Sequence, residues 1–339
     1  MPTSGSQCVL CDLPIRFDTY IGCSHACRYC FANVERDLTD IQKGEGAKAL
    51  LDFIKGNRKL EAKFVDWNIP LHWGGLSDPF QPCEKVHRRS YQALKIFKET
   101  QYPFVVSTKG KLVADDNYIE LLKDCNCVVQ ISMVCSKYDK IEKGCPTFEE
   151  RLQMLQKVSN NVKRTIVRVQ PYMHEVYKDV YNNLERFKKA GAYGVIIEGM
   201  KFKKKKNGLV KVGGDITYPY NLILNDFLAL KKRAHELGLK IYAGENRIRP
   251  YGDSLTCCGI DGLDGFTPNV YNLNHMLNGD IQKPSQAMLE PKTGKPFNGL
   301  QQNSIKGRWY RQHSFEESMK QYYLTNKRNV EIIFGVKHE

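Results

Sequence analysis

Three cysteines, Cys23, Cys27 and Cys30, stand in the string Gly22-Cys-Ser-His-Ala-Cys-Arg-Tyr-Cys30 at a C-x3-C-x2-C spacing, with Tyr29 just before the last. Three thiolates on one short loop can hold three irons of a 4Fe-4S cluster and leave the fourth iron open to a substrate or cosubstrate. A four-thiolate electron-transfer cluster has no such opening. Zinc is the competing occupant, but tetrahedral zinc needs a fourth ligand, and structural zinc cysteines usually come as two separated doublets.

Such a loop needs a frame, and the chain around it alternates short apolar runs with helical stretches. Strands are predicted at Ile15–Ile21, Ile69–Trp73, Phe104–Ser107, Cys127–Met133, Arg164–Gln170, Gly194–Glu198 and Leu239–Ala243. Helices are predicted at Gly46–Ile54, Val86–Glu99 (with Val86, Leu94 and Phe97 apolar), Asp115 to about Lys123, Thr147–Val158, Val180–Ala190 and Tyr220–Leu237. Thr147 with Glu150 three residues on reads as a capping box. Strands separated by such helices imply right-handed crossovers and a parallel sheet. Six or seven such units predict an α/β fold, a partial (β/α)6-type parallel barrel, in which the loops after the strands gather at one end. The cysteine loop follows the first strand and belongs to that end. The chain divides into a cysteine-containing segment over 1–14, the barrel over 15–252, and a capping region over 253–339. The last ends in a predicted helix near Phe315–Asn326 and a strand near Val330–Val336.

A second string, His72-Trp-Gly-Gly-Leu-Ser-Asp-Pro-Phe-Gln-Pro-Cys-Glu84, follows the second strand. Gly74 and Gly75 allow close backbone approach to a ligand, and Ser77 or Asp78 can accept from an ammonium group. Ser107-Thr-Lys109 ends the third strand, Ser132 the fourth, and Arg168 is a cation within the apolar fifth strand, where it needs a partner such as a carboxylate. The cysteine loop resembles the signature of the radical S-adenosylmethionine (radical SAM) enzymes. The Asp-Pro-x-Gln-Pro-x-Glu string, Thr108-Lys109 and the helix opening Glu142-Lys-Gly-Cys-Pro-Thr-Phe-Glu-Glu-Arg-Leu152 are similar to the spore photoproduct lyase-like branch. The Gly-Gly-Glu often found after the second strand in that superfamily is absent, and its place falls to Gly74, Gly75, Ser77 and Asp78.

The resemblance, which spans roughly residues 15 to 245, implies a 4Fe-4S cluster on Cys23, Cys27 and Cys30 with SAM chelating the open iron. Lys109 would meet the SAM carboxylate, Ser132 its ribose or carboxylate, and Arg168 would join the cofactor site. It also implies reductive cleavage of SAM to a 5′-deoxyadenosyl radical, hydrogen abstraction from substrate, and a low-potential electron donor such as flavodoxin or ferredoxin. By the same resemblance Cys257 or Cys258 is a candidate hydrogen-atom donor, with Cys135 a weaker one. Cys8, Cys11, Cys257 and Cys258 could instead complete an auxiliary metal site. Cys125, Cys127 and Cys145 read as packing residues.

Composition narrows the setting. Of 339 residues, 51 are Lys or Arg and 37 Asp or Glu, a net charge of +14 that suits a polyanionic partner such as nucleic acid. Lys201, Lys203–Lys206 and Lys211 follow the sixth strand, and Asn246-Arg-Ile-Arg249 follows the seventh; both are basic elements expected on the active-site rim, although a solvated loop is the simpler reading of the first. The polar start, Met1-Pro-Thr-Ser-Gly-Ser, lacks a signal-peptide pattern, no run approaches a membrane span, and the thiolates suit a reducing cytosol. Three readings follow: a radical SAM enzyme acting on a nucleic-acid base or nucleotide, one modifying a peptide or small metabolite, and a nucleic-acid-binding protein with a structural metal.

Overall fold

A computed structural model describes residues 3–4, 11–34, 40–56, 68–212, 214–270, 272, 274, 275 and 278. Cys8 and the elements expected at 315–326 and 330–336 lie outside the described residues. Seven parallel strands form the centre: β2 (Ile15–Phe17), β5 (Leu71–Trp73), β6 (Phe104–Thr108), β7 (Cys127–Ser132), β8 (Arg164–Tyr172), β9 (Gly194–Gly199) and β12 (Lys240–Ala243). They lie side by side in chain order, with β1 (Thr3–Ser4) antiparallel on the β2 edge. Among the described residues β2 and β12 do not pair with each other, so the sheet curves without closing, as expected of a partial barrel.

Each strand alternates its side chains between two faces. Phe17, Trp73, Phe104, Val106, Val129, Ile131, Val167, Val169, Val195 and Ile197 face the helices and make the main core. The helices are α1 (Ala47–Ile54), α2 (Glu84–His87), α3 (Arg89–Thr100), α4 (Asp116–Leu122), α5 (Phe148–Ser159), α6 (Tyr177–Lys189) and α7 (Tyr220–Glu236). The other face is inside the barrel. In the N-terminal halves of the strands it is apolar, where Val105, Val128, Ile166, Ile196 and Tyr242 pack with Leu13, Cys258, Ile260 and Phe266. Chain from both flanks of the barrel thus plugs its bottom, and the open end lies where the strands terminate.

Three departures from expectation have local causes. The predicted first strand breaks after Phe17 and resumes as β3 (Tyr20–Ile21), paired with β4 (Gln42–Lys43). At the break the Asp18 carboxylate accepts the N–H groups of Leu76 and Ser77 at 3.2 and 3.3 Å. The helix predicted from Val86 is two, hinged at left-handed Arg88, because Glu84 folds over the start of α3 and accepts the N–H groups of Ser90 and Tyr91 at 2.9 and 2.8 Å. Val86 is accordingly 79% exposed, while Leu94 and Phe97 are buried. The lysine-rich segment contains a hairpin, β10 (Val210–Val212) with β11 (Asp215–Thr217), and Phe202 bridges to Ile216. The Thr147 capping box is present, whereas the Asp115 side chain makes no capping hydrogen bond.

Candidate functional site

The cysteine loop begins at Gly22, directly after β3, and reaches the end of the barrel where the strands finish. Cys27 is buried, and Cys23 and Cys30 are half-buried. The loop is held by the second string of the sequence. Gln81 donates through Nε2 to the Gly22 carbonyl at 3.1 Å and accepts the Ser24 N–H at 2.9 Å. Asp78 accepts from Thr108 Oγ1 (2.7 Å), Lys109 N (2.6 Å), Gly110 N (3.1 Å) and Phe80 N (2.9 Å), and its Oδ2 lies 3.2 Å from His25 Nε2. Glu84, fully buried, accepts from Tyr20 Oη and from Tyr118 Oη at 2.7 Å. Asp78, Gln81 and Glu84 therefore fasten the cysteine loop to β3, to the end of β6 and to α3. The Asp-Pro-x-Gln-Pro-x-Glu pattern is, in this chain, the mount of the loop.

Ser77 is likewise engaged, donating from Oγ to the Tyr20 carbonyl at 2.7 Å. Gly74 has φ +87°, and a Cβ there would lie 2.4 Å from the Ser107 carbonyl oxygen, so close strand packing demands glycine at this point. Gly75 follows it beside Arg16 and His72.

A second brace comes from residues 141–151. The Arg28 N–H donates to the Ile141 carbonyl at 3.0 Å, and His25 Nδ1 lies 2.8 Å from the Gly144 carbonyl. A side chain at Gly144 would strike the Ser24 carbonyl oxygen at 2.4 Å. Tyr29 Oη donates to Glu142, which is paired with fully buried Arg151 at 2.5 Å; Arg151 also donates to the Ser132 carbonyl at 2.9 Å. Cys145 is no simple packing residue, because its sulfur lies 3.6 Å from that of Cys27.

Electrostatics around the loop are set by burial and near charges. Burial opposes charge on His25, but the Asp78 carboxylate and the Gly144 carbonyl outweigh it and raise its pKa. Burial would raise Asp78, yet His25 and the donors from residues 108 and 109 hold it at about 2. The Cys145 thiol beside Cys27, helped by the Lys109 ammonium, pulls Cys27 below its ordinary value despite burial. The Lys109 ammonium lies over the Tyr29 ring at 5.8 Å. Burial works against its charge, but Glu142, Cys27 and Cys145 keep its pKa raised. Among the described residues Asp12, Cys257 and Cys258 alone bring three ligand atoms within 4.8 Å of one another. The sulfurs of Cys23, Cys27 and Cys30 do not all lie within that distance of one another.

Inside the barrel, above the apolar plug, polar side chains form a connected row. His72 Nε2 lies 3.1 Å from Ser107 Oγ, which donates to Gln130 Oε1 at 2.8 Å; the same oxygen accepts from Arg168 Nη1 at 3.1 Å. Arg168 finds its carboxylate in Glu198 at 3.1 Å and also donates to Gln170. Ser132 pairs in register with Arg168, and its hydroxyl bonds no side chain among the described residues. Burial, with the charges of Arg168 and Arg16, depresses His72 to about 3, so it is neutral at ordinary pH.

Cys257 and Cys258 sit at the base of this row. Gln130 Nε2 donates to the Cys258 carbonyl at 2.9 Å. The Cys258 thiol, with the Arg249 charge, lowers the Cys257 pKa to about 7 against burial. Cys11, expected as a possible partner of this pair in an auxiliary site, is near enough that Cys257 contributes to its electrostatics. Cys135 is buried, ending the run after β7, and Cys125 and Cys127 are buried in the core as expected.

Of the two basic elements, only the first faces solvent. Lys203–Lys206 and Lys211 are exposed and form no ion pair among the described residues, while Lys201 is paired with Asp215 at 2.5 Å. Arg247 and Arg249 are buried. Arg247 is held by Glu245 at 2.8 Å and the Tyr218 carbonyl, and Arg249 by backbone carbonyls and Asn246. They offer nothing to a surface phosphate.

The sequence alone did not single out His25, Gln81, Glu84, Glu142, Arg151, Gln130 or Glu198. The first five stand inside the quoted strings, so their proximity to the cysteines was the available signal. Gln130 and Glu198 were legible only as polar interruptions in apolar strands.

No protein-family model matches the chain. Uncharacterized proteins of Mycobacterium tuberculosis and Mycobacterium bovis are 24% identical over 213 residues, covering 58% of this chain and 62% of theirs. The chain thus spans less than two thirds of the length of these curated relatives. Among solved structures, spore photoproduct lyase complexed with dinucleoside spore photoproduct superposes with a TM-score of 0.57 at 15% identity, covering 72% of this chain and 79% of that one. A mutant of the same lyase with bound AdoMet and dinucleoside spore photoproduct gives 0.52 at 14% identity, covering 72% and 78%. No helix among the described residues is long and apolar enough to cross a membrane. The chain shares the fold of spore photoproduct lyase, its structural neighbour, at low sequence identity.

Proposed function

We propose that this protein is a radical SAM enzyme in which Cys23, Cys27 and Cys30 hold a 4Fe-4S cluster and SAM occupies the barrel mouth. The observation that carries the reading is the mounting of these cysteines. Three thiols on one loop are fastened at the strand ends by Gln81, Asp78 and the Tyr29–Glu142–Arg151 chain, with the Lys109 ammonium over Tyr29 and near enough to act on Cys27. The donor set fits, being three soft thiolates with a neighbouring cation that stabilises their charge. When bound, such a cluster supplies the low-potential electron that cleaves SAM reductively to a 5′-deoxyadenosyl radical able to abstract hydrogen from an unactivated carbon.

The protein's part is positioning and exclusion. Lys109 is the cation available to a carboxylate at the barrel mouth. Gly74, Gly75 and the Ser132 hydroxyl line the same strand ends, while Ser77 and Asp78 act through the frame they hold together. His72, Ser107, Gln130, Arg168 and Glu198 fix a polar wall within the barrel, where a substrate can be oriented while the apolar plug below excludes water.

For substrate we favour a nucleic-acid base or nucleotide, in lyase or modification chemistry. The exposed Lys203–Lys206 and Lys211 follow β9 and so lie at the cysteine-loop end, the chain carries a net charge of +14, and the neighbouring lyase binds a dinucleoside photoproduct. An electron donor such as flavodoxin or ferredoxin, and a reducing cytosol, complete the setting. The test is anaerobic reconstitution with iron and sulfide, followed by an iron count and an assay of reductant-dependent 5′-deoxyadenosine release. About four irons with nucleoside release support the reading. A cluster-loaded protein that leaves SAM intact rejects it.

A further inference from the structure

We infer that Asp12, Cys257 and Cys258, with Cys11 beside them, form a second metal site, built for one zinc-type divalent cation in the interior of the barrel. The ligand atoms of Asp12, Cys257 and Cys258 all lie within 4.8 Å of one another. A tetrahedral zinc, with bonds of about 2.0–2.3 Å, draws its ligand atoms to within roughly 4 Å, so only a small contraction is needed.

The surroundings are those of a ligand set. Asp12 is fully buried and divides its two oxygens between two tasks. Oδ1 is held by His275 Nε2 at 2.7 Å and Asn272 Nδ2 at 3.0 Å, whereas Oδ2 accepts no hydrogen bond among the described residues and has Arg249 Nη1 nearby, at 3.7 Å. A carboxylate oriented through one oxygen, with the other buried and open, is how a supporting shell presents a metal ligand. Cys258 is fixed from behind by the Gln130 bond to its carbonyl. The Cys11 sulfur accepts the Leu13 N–H at 3.3 Å and is adjacent in sequence to Asp12, which makes it the nearest candidate for a fourth ligand.

Charge also balances for the three close ligands alone. Two thiolates and one carboxylate carry three negative charges; a divalent cation and the buried Arg249 guanidinium, which feels Cys257, Asp12, Cys258 and Cys11 together, carry three positive. Thiolate donors select a softer cation over magnesium or calcium. The ion would tie residues 11–12 to 257–258, joining both flanking segments beneath the row of Gln130 and Arg168. The site shares no ligand with the cysteine loop, so its fate is separable from that of the cluster.

The test is metal analysis of the full-length protein. A chain with Cys23, Cys27 and Cys30 all replaced by alanine, purified with zinc and without chelator, should retain about one zinc, because its site lies elsewhere. Adding Cys257→Ser or Cys258→Ser should lower zinc affinity at least about tenfold, and Asp12→Asn should do likewise. In the reconstituted wild-type holoenzyme the same substitutions should leave iron at about four. Cobalt loaded into the triple-alanine chain should show sulfur-to-cobalt charge-transfer absorption, a readout that needs no further variant. No zinc in the triple-alanine chain, cobalt without thiolate absorption, or zinc undiminished by Cys258→Ser and Asp12→Asn would each overturn the proposal.

Discussion

Replacing Arg151 with methionine removes the cation that faces the buried Glu142 carboxylate at 2.5 Å and takes from the Ser132 carbonyl its guanidinium donor. Both side chains of the pair are essentially inaccessible, 0% and 1% exposed, so water cannot replace what is removed. Breaking one side of such a pair costs about 3–5 kcal/mol, most of it the penalty of an uncompensated buried charge. Glu142 keeps the Tyr29 hydroxyl and the nearby Lys109 charge, which places the expected destabilisation near the lower end, about 3 kcal/mol. Because Tyr29 adjoins Cys30, the same variant should take up less iron. The assay is anaerobic denaturant unfolding of the metal-free protein for wild type, Arg151→Met, Glu142→Gln and the double variant. The double variant should be more stable than the sum of the single effects predicts, by about 1–3 kcal/mol. A single-variant destabilisation under about 1 kcal/mol, or additivity within about 0.5 kcal/mol, would refute the view that this pair braces the cysteine loop.

Other expectations follow from the same geometry. Alanine at Cys23, Cys27 or Cys30 should abolish cluster assembly, whereas Cys145→Ser should keep about four irons, since Cys145 neighbours the cluster without completing it; iron analysis and visible absorption distinguish the two. Gln81→Ala should lower reconstituted iron while leaving far-ultraviolet circular dichroism unchanged, because it frees Gly22 and Ser24 without touching the core. His72, depressed to about 3 in the folded state from an ordinary 6.5, binds its proton more readily when unfolded. Its contribution is therefore full above pH 6.5 and declines as pH falls toward 3, and His72→Gln should flatten that part of the stability–pH curve. Changing Lys203–Lys206 to glutamate should weaken nucleic-acid binding and reduce the log–log slope of its salt dependence by about 0.9 for each phosphate that is no longer neutralised.

The fold was legible because its signals are local and repeated. Apolar strands at 104–107, 127–133, 164–170 and 194–198 could only be buried on one face against helices, and each appears within a few residues of its expected place. The cysteine loop stands out in the sequence because its spacing alone suits a three-thiolate cluster. What could not be read was the destination of polar side chains. Asp78 reads as an ammonium acceptor until four hydrogen-bond donors are seen converging on it from residues 80 and 108–110. Arg249 reads as a phosphate contact until it is found buried beside Asp12. The meeting of Cys11 with Cys257, almost the full described length apart, depends on the end segments entering the barrel from below, which no local pattern announces.

Everything proposed for the reaction depends on an open iron on the Cys23–Cys27–Cys30 loop that binds SAM. Electron paramagnetic resonance of the dithionite-reduced, reconstituted protein tests it most directly. The expected result is a 4Fe-4S signal whose g-values shift when SAM is added, and no such signal in a Cys27→Ala chain. A reduced cluster whose spectrum is indifferent to SAM, or a metal-loaded protein holding zinc alone on that loop, would contradict it.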